Sequence, residues 1–132
     1  MAKKKVFISY DYDNDRHYKN LLLAWDGNSQ FDFALSDHSA DVSIKSTRAI
    51  TIKSVLSRKI DECPRFLVIV GKDTYKSNWV KWEIEKAHLL GKKIIAVKTD
   101  RSNTTPPELY GIGVSWAMSF TYLSISNAIN NA

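Results

Sequence analysis

Apolar positions along the chain fall into two alternating patterns: short unbroken runs and longer runs at helical spacing. Lys5–Tyr10 (KVFISY) is dense in β-forming residues and ends against the polar Asp11-Tyr12-Asp13-Asn14-Asp15, which predicts a buried strand. Tyr18, Leu21, Leu22 and Trp25 then recur at the spacing of one helical face, with Asn14 or Asp15 as its cap and Gly27 as its stop. Phe31–Leu35 predicts a second strand. The polar stretch Ser36–Thr47 is long for a connection between elements, and loops of that length often carry function. Ile52, Val55, Leu56 and Ile60 mark a second helix, closed by Pro64. Phe66–Val70 (FLVIV) is apolar at every position, as a central parallel strand covered on both faces must be. A third helix runs from Ser77 or Asn78 to Leu90, with Gly91 just past its end. A strand at Lys93–Val97, a long loop at Lys98–Gly113, a weak strand at Val114–Trp116 and a terminal helix carrying Tyr122, Ile125 and Ile129 complete the pattern.

Strands alternating with helices predict an α/β domain, doubly wound in three α-β-α layers around a parallel sheet of about five strands, because parallel neighbours require crossovers over the sheet faces. The 132 residues correspond to one domain, 1–132. Sheets of this kind bind ligands beyond the carboxyl ends of their strands. The loops of interest are therefore Tyr10–Asp15, Leu35–Thr47, Gly71–Trp79 and Lys98–Gly113.

Charge changes this picture little. The formal net charge is +5, but the basic residues are scattered singly or in pairs apart from Lys3–Lys5, which reads as solvated surface rather than a specific nucleic-acid interface. The single cysteine, Cys63, excludes an internal disulfide framework and a multi-Cys zinc site, and its place beside Pro64 reads as packing. His17, His38 and His88 are separated from one another and from Cys63, so no metal site is expected. Apolar runs such as Phe66–Val70 fall far short of the ~20 residues of a membrane span. Only Val6, Phe7 and Ile8 follow the basic start before Asp11, too few for a signal peptide, and a cytoplasmic location is expected. No G-x-x-x-x-G-K-[ST] loop is present and no G-x-G-x-x-G follows the first strand, which argues against a P-loop NTPase and a Rossmann hydride-transfer enzyme.

The segment Ser77-Asn78-Trp79-Val80-Lys81-Trp82-Glu83-Ile84-Glu85 is the most informative. On a helix Glu83 lies one turn from Trp79, Val80 and Ala87, along the apolar face, whereas Glu85 neighbours Lys81 and His88 on the solvated one. A carboxylate on the apolar side costs desolvation unless it has partners or a role. Its bland reading is an acid in the favourable field of a helix N-terminus. The three acids Asp11, Asp13 and Asp15 either cap the following helix, the favoured reading, or bind Mg²⁺.

Val6-Phe7-Ile8-Ser9-Tyr10, the long loop after Phe31–Leu35, Phe66–Val70, and Trp79-x-x-x-Glu83-Ile84 followed by Lys93–Val97 together resemble a TIR domain. They are more closely similar to the bacterial TIR-like family that includes the ThsB component of Thoeris anti-phage systems, over residues 5–97. The resemblance implies a flavodoxin-like fold and cleavage of NAD, bound as substrate with no permanent cofactor. It implies Glu83 as the catalytic carboxylate with Trp79 beside it, and Phe7, Ser9, Tyr10, Asp11, Ser36 and Asp37 lining the dinucleotide site, Tyr10 and Trp79 flanking the nicotinamide. It further implies self-association, an ADP-ribose-type product, linear or cyclic, and a separate effector reached through that diffusible nucleotide. The sequence departs from many active TIR domains in placing Asp11-Tyr12 where they carry basic residues. Two other classes stay open: a non-enzymatic interaction module, indifferent to Glu83, and a phospho-acceptor receiver. The receiver would need an acid at the end of the third strand, where Val70-Gly71 stands.

Overall fold

The computed structural model describes residues 3–27, 30–36 and 43–132. Five strands and four helices follow in the order β1 (Lys4–Ser9), α1 (Tyr12–Asp26), β2 (Phe31–Leu35), α2 (Arg48–Glu62), β3 (Arg65–Val70), α3 (Asn78–Leu89), β4 (Lys93–Lys98), β5 (Ser115–Ala117) and α4 (Tyr122–Asn131). Single 3₁₀ turns at Thr74–Lys76 and Pro107–Leu109 interrupt the β3–α3 and β4–β5 connections. All strand pairs are parallel, in the order β2-β1-β3-β4-β5. The order reverses between β1 and β3, the flavodoxin-like switch point at which doubly wound sheets open a crevice.

Strand periodicity divides the core into two layers. Val6, Ile8, Leu67, Ile69, Ile95 and Val97 point to one face and pack with Leu22 of α1 and Ile125 and Ile129 of α4. Phe7, Phe66, Val68, Val70, Ile94 and Ala96 point to the other and pack with Leu56 and Ile60 of α2 and with Val80, Ile84 and Ala87 of α3. Val68 is wholly buried between its β1 and β4 partners, Ser9 and Ala96, as expected of the central strand. Cys63 is buried in the α2–α3 layer, where burial pushes its thiol pKa up, in keeping with a packing role.

Helix ends follow local chemistry. Ser77 Oγ accepts from Val80 N at 3.2 Å and caps α3. At its far end Gly91 (φ 73°) donates to His88 O and Lys92 N to Ala87 O, both at 3.0 Å, the paired bonds that a left-handed residue allows. Thr121 caps α4 in the same way as Ser77.

Two details of α1 differ from the pattern-based expectation. The helix begins at Tyr12, with Asp11 as N-cap residue, so Asn14 and Asp15 lie inside it. Its buried positions are Asp15, Leu22 and Asp26, whereas Leu21 and Trp25 are each about two-fifths exposed. Hydrogen bonds explain the rotation: Asp26 accepts from Gln30 N, Phe31 N and Tyr122 Oη, and Asp15 from Thr74 Oγ1. Apolar spacing is blind to an acid buried by its partners. In α2, likewise, Ala49, Leu56 and Ile60 face inward and Val55 does not. The last strand is displaced by one residue, to Ser115–Ala117. Among the described residues no helix is long and apolar enough to cross a membrane.

Candidate active site

Glu83 occupies the second turn of α3 and is fully buried. The period of two along β1 that turns Phe7 toward α3 also turns Ser9 there, two residues closer to the carboxyl edge. Ser9 Oγ donates to Glu83 Oε1 at 2.8 Å, and Ser36, just past the end of β2, donates through Oγ to Oε2 at 2.5 Å. Ser36 is itself fixed by its N–H to Ile8 O at 3.1 Å, which extends the β1–β2 ladder by one bond. Three elements thus converge on a single carboxyl group at the switch point.

Burial dominates its electrostatics. Loss of hydration raises the Glu83 pKa from the usual 4.5 to about 7, and the two serine hydroxyls oppose the rise by favouring the charged form. A carboxyl so placed exchanges between charged and neutral forms near neutral pH, which is the range useful for catalysis.

Trp79, one turn before Glu83, is almost buried and lies edge-on to Trp82 with ring centroids 6.3 Å apart. Its remaining surface lines a cleft of about 420 Å³ whose walls include Asp11, Asn14, Ile44, Asp73 and Lys76. Glu85 is exposed and, among the described residues, forms no ion pair with Lys81 or His88.

Of the eight residues singled out from sequence, the structure joins Glu83, Ser9 and Ser36 by hydrogen bonds and places Trp79 and Asp11 on the adjoining cleft. Asp37 lies outside the described residues. Two expectations need correction. Phe7 is wholly buried and stacked on Phe66 at 5.6 Å, so it is core beneath the site rather than part of its lining. Tyr10 is wholly buried in the layer of α1 and α4, on the opposite side of the sheet from Trp79. The two rings therefore do not flank a common ligand; Tyr10 stacks near Tyr12 at 6.2 Å instead. Sequence reading takes Asp15 as a helix cap or Mg²⁺ ligand and marks the Gly71–Trp79 loop, but not the second buried polar cluster that Asp15, Gly71 and Thr74 form together. Its one visible signal was an acid recurring one helical step before an apolar stripe.

Comparison with known proteins agrees with this architecture. Similar solved structures include a 2-deoxyribosyltransferase from Bacillus psychrosaccharolyticus (TM-score 0.66, 13% identity, covering 97% of this chain and 91% of that one). They also include the CMP N-glycosidase BcmB of Clostridium botulinum (TM-score 0.59, 17% identity, 96% and 99% covered). A third is the TIR domain of the activated Roq1 resistosome (TM-score 0.52, 20% identity), of which the chain covers 61% while 76% of its own length is matched. At these identities the likeness is one of fold: a five-stranded, flavodoxin-like α/β domain. The family model of the Thoeris protein ThsB, TIR-like domain, matches residues 7–104, and the chain belongs to that family. No curated protein sequence matches it.

Proposed function

We propose that the domain cleaves the nicotinamide–ribose bond of NAD, with Glu83 as the catalytic carboxylate and NAD as substrate rather than resident cofactor. The observation that carries this reading is the wholly buried Glu83 carboxyl, held by Ser9 and Ser36 beside the Trp79 cleft at the switch point. Family membership and the glycosyl-bond chemistry named for two structural neighbours support it.

Most glycosidases use two carboxyl groups, one of them an acid that protonates a poor leaving group. Nicotinamide in NAD⁺ is already cationic. When the C1′–N bond breaks, its electron pair passes to the ring nitrogen and nicotinamide departs neutral, so no acid is needed. The demand that remains is stabilisation of an oxocarbenium-like ribose, which a fixed anion in a dry site meets well. The serine hydroxyls on Glu83 occupy the positions that ribose hydroxyls would take, so substrate entry exchanges one set of hydrogen bonds for another. Because Glu83 has no exposed surface, Ser36 must yield Oε2 to the sugar. Water as acceptor gives ADP-ribose and a proton; a hydroxyl or ring nitrogen of the same nucleotide gives a cyclic isomer. The product would act as a diffusible signal to a separate effector, and self-association would favour the open site. Nicotinamide release from NAD⁺ by wild type and Glu83→Gln tests the reading: release that persists in the variant would refute it.

A further inference from the structure

Next to the Trp79 cleft lies a larger one, of about 750 Å³, beyond the carboxyl ends of β3 and β4. The two share Asn14, Asp73 and Lys76, so they form adjoining compartments of one crevice. The floor of the larger compartment is a constructed feature. Asp15 is 4% exposed and lies flat against Gly71, where a Cβ would overlap its carboxylate. Gly71 N donates to Thr74 Oγ1 at 2.8 Å, and that hydroxyl donates to Asp15 Oδ2 at 3.0 Å. Asp15 Oδ1 receives no hydrogen bond from the described residues, and Asp15 belongs to the compartment wall. Burial raises the pKa of Asp15, and Thr74 only partly offsets that effect. Oδ1 is not sealed from solvent, so it is an accessible acceptor at the compartment wall, to which a ligand hydroxyl can donate in place of water. At the rim, Lys76 pairs with Asp73 at 3.6 Å, whereas Lys72 is exposed and makes no ion pair among the described residues. Asn103 is held by Val70 O and Thr99 Oγ1 at 3.0 and 2.8 Å and forms a rigid opposite wall. The compartment thus offers a fixed acceptor for hydroxyl groups and a cation for an anionic group, within the size range of nucleotide-sized ligands.

We propose that this compartment is a ribonucleotide subsite, in which Asp15 Oδ1 accepts from the ribose diol and Lys72 attracts the phosphate. Resting on the NAD reading above, it takes the AMP half of the dinucleotide while the nicotinamide half enters the Trp79 compartment. Asp15→Asn is a sharp probe: with the amide oxygen turned to Thr74, an N–H₂ donor replaces the free acceptor. Calorimetric titration of the full chain with AMP, adenosine and 2′,3′-dideoxy-AMP tests the assignment. Wild type is expected to bind AMP, and Asp15→Asn to weaken both AMP and adenosine at least tenfold. Dideoxy-AMP is expected to bind wild type correspondingly weakly. Lys72→Ala, at an exposed position that leaves the fold intact, is expected to weaken AMP severalfold but not adenosine. If Asp15→Asn unfolds in a thermal melt, the dideoxy and Lys72 arms decide. No AMP binding to wild type, or equal affinity in the Lys72 variant and for the dideoxy ligand, overturns the subsite. AMP binding that needs Asp15, in a protein that never releases nicotinamide, would overturn the NAD reading and leave the subsite standing.

Discussion

Glu83 owes its chemistry to what surrounds it. A folded-state pKa near 7, against 4.5 in the unfolded chain, means that the native state holds a proton that the unfolded state releases. The contribution of Glu83 to stability is therefore full below about pH 4.5, falls as pH rises toward 7, and is lower by roughly 3 kcal/mol above that. Glu83→Gln removes this penalty, and the serine hydroxyls can accept from its amide. Its stability relative to wild type should rise between pH 5 and 8, read from denaturant midpoints at each pH. Ser36→Ala removes a bond that favours the charged form, so the Glu83 pKa should move up and the acid limb of NAD cleavage should shift to higher pH. An unshifted limb would mean that Glu83 ionisation does not limit the reaction. At this scale the sequence revealed the acid on an apolar face but not its hydroxyl partners, because Ser9 and Ser36 are brought to it by the sheet from 74 and 47 residues away. Tyr10 directly follows β1 and continues its alternation by one step, so Ser9 faces the α3 layer while Tyr10 faces the layer of α1 and α4.

Among the described residues the five strands and four helices were legible as elements, since each carries its own apolar period, and the expected boundaries moved by at most about four residues, those of β2 not at all. Helix faces were less legible. Asp15 and Asp26 displace Leu21 and Trp25 from the buried side of α1 because hydrogen bonds across the chain fix them, and no local pattern encodes Thr74 or Tyr122. Two substitutions test the element-level account. Val68→Asp places an unpaired charge in the middle of the sheet and should cost several kcal/mol or abolish folding; an unchanged melt would contradict the strand assignment. Gly71→Ala introduces a methyl where the Asp15 carboxylate lies and should destabilise by about 1–3 kcal/mol, measured by urea unfolding. Pairing it with Asp15→Ala should recover part of that loss, since the overlapping group is then gone.

As a whole, the molecule buries the Glu83 carboxyl beside a crevice rather than setting it on the surface. The topology β2-β1-β3-β4-β5 sets the carboxyl ends of β1 and β2 side by side, and α3 brings Glu83 to the serines there. That convergence could be anticipated from alternating strands and helices, whereas the closure of the site over Glu83 could not. If the proposed self-association opens the site over the buried carboxyl, the isolated chain should turn over slowly and activity per molecule should fall on dilution toward nanomolar protein. The most direct test of the central claim is nicotinamide release from NAD⁺ by assembled wild type, Glu83→Gln and the exposed control Glu85→Gln, with each fold verified by thermal melting. Glu83→Gln should lose about 10²–10³-fold in rate while remaining folded, and Glu85→Gln should match wild type. Wild-type release by a folded Glu83→Gln protein would contradict the assignment of Glu83 as the catalytic carboxylate.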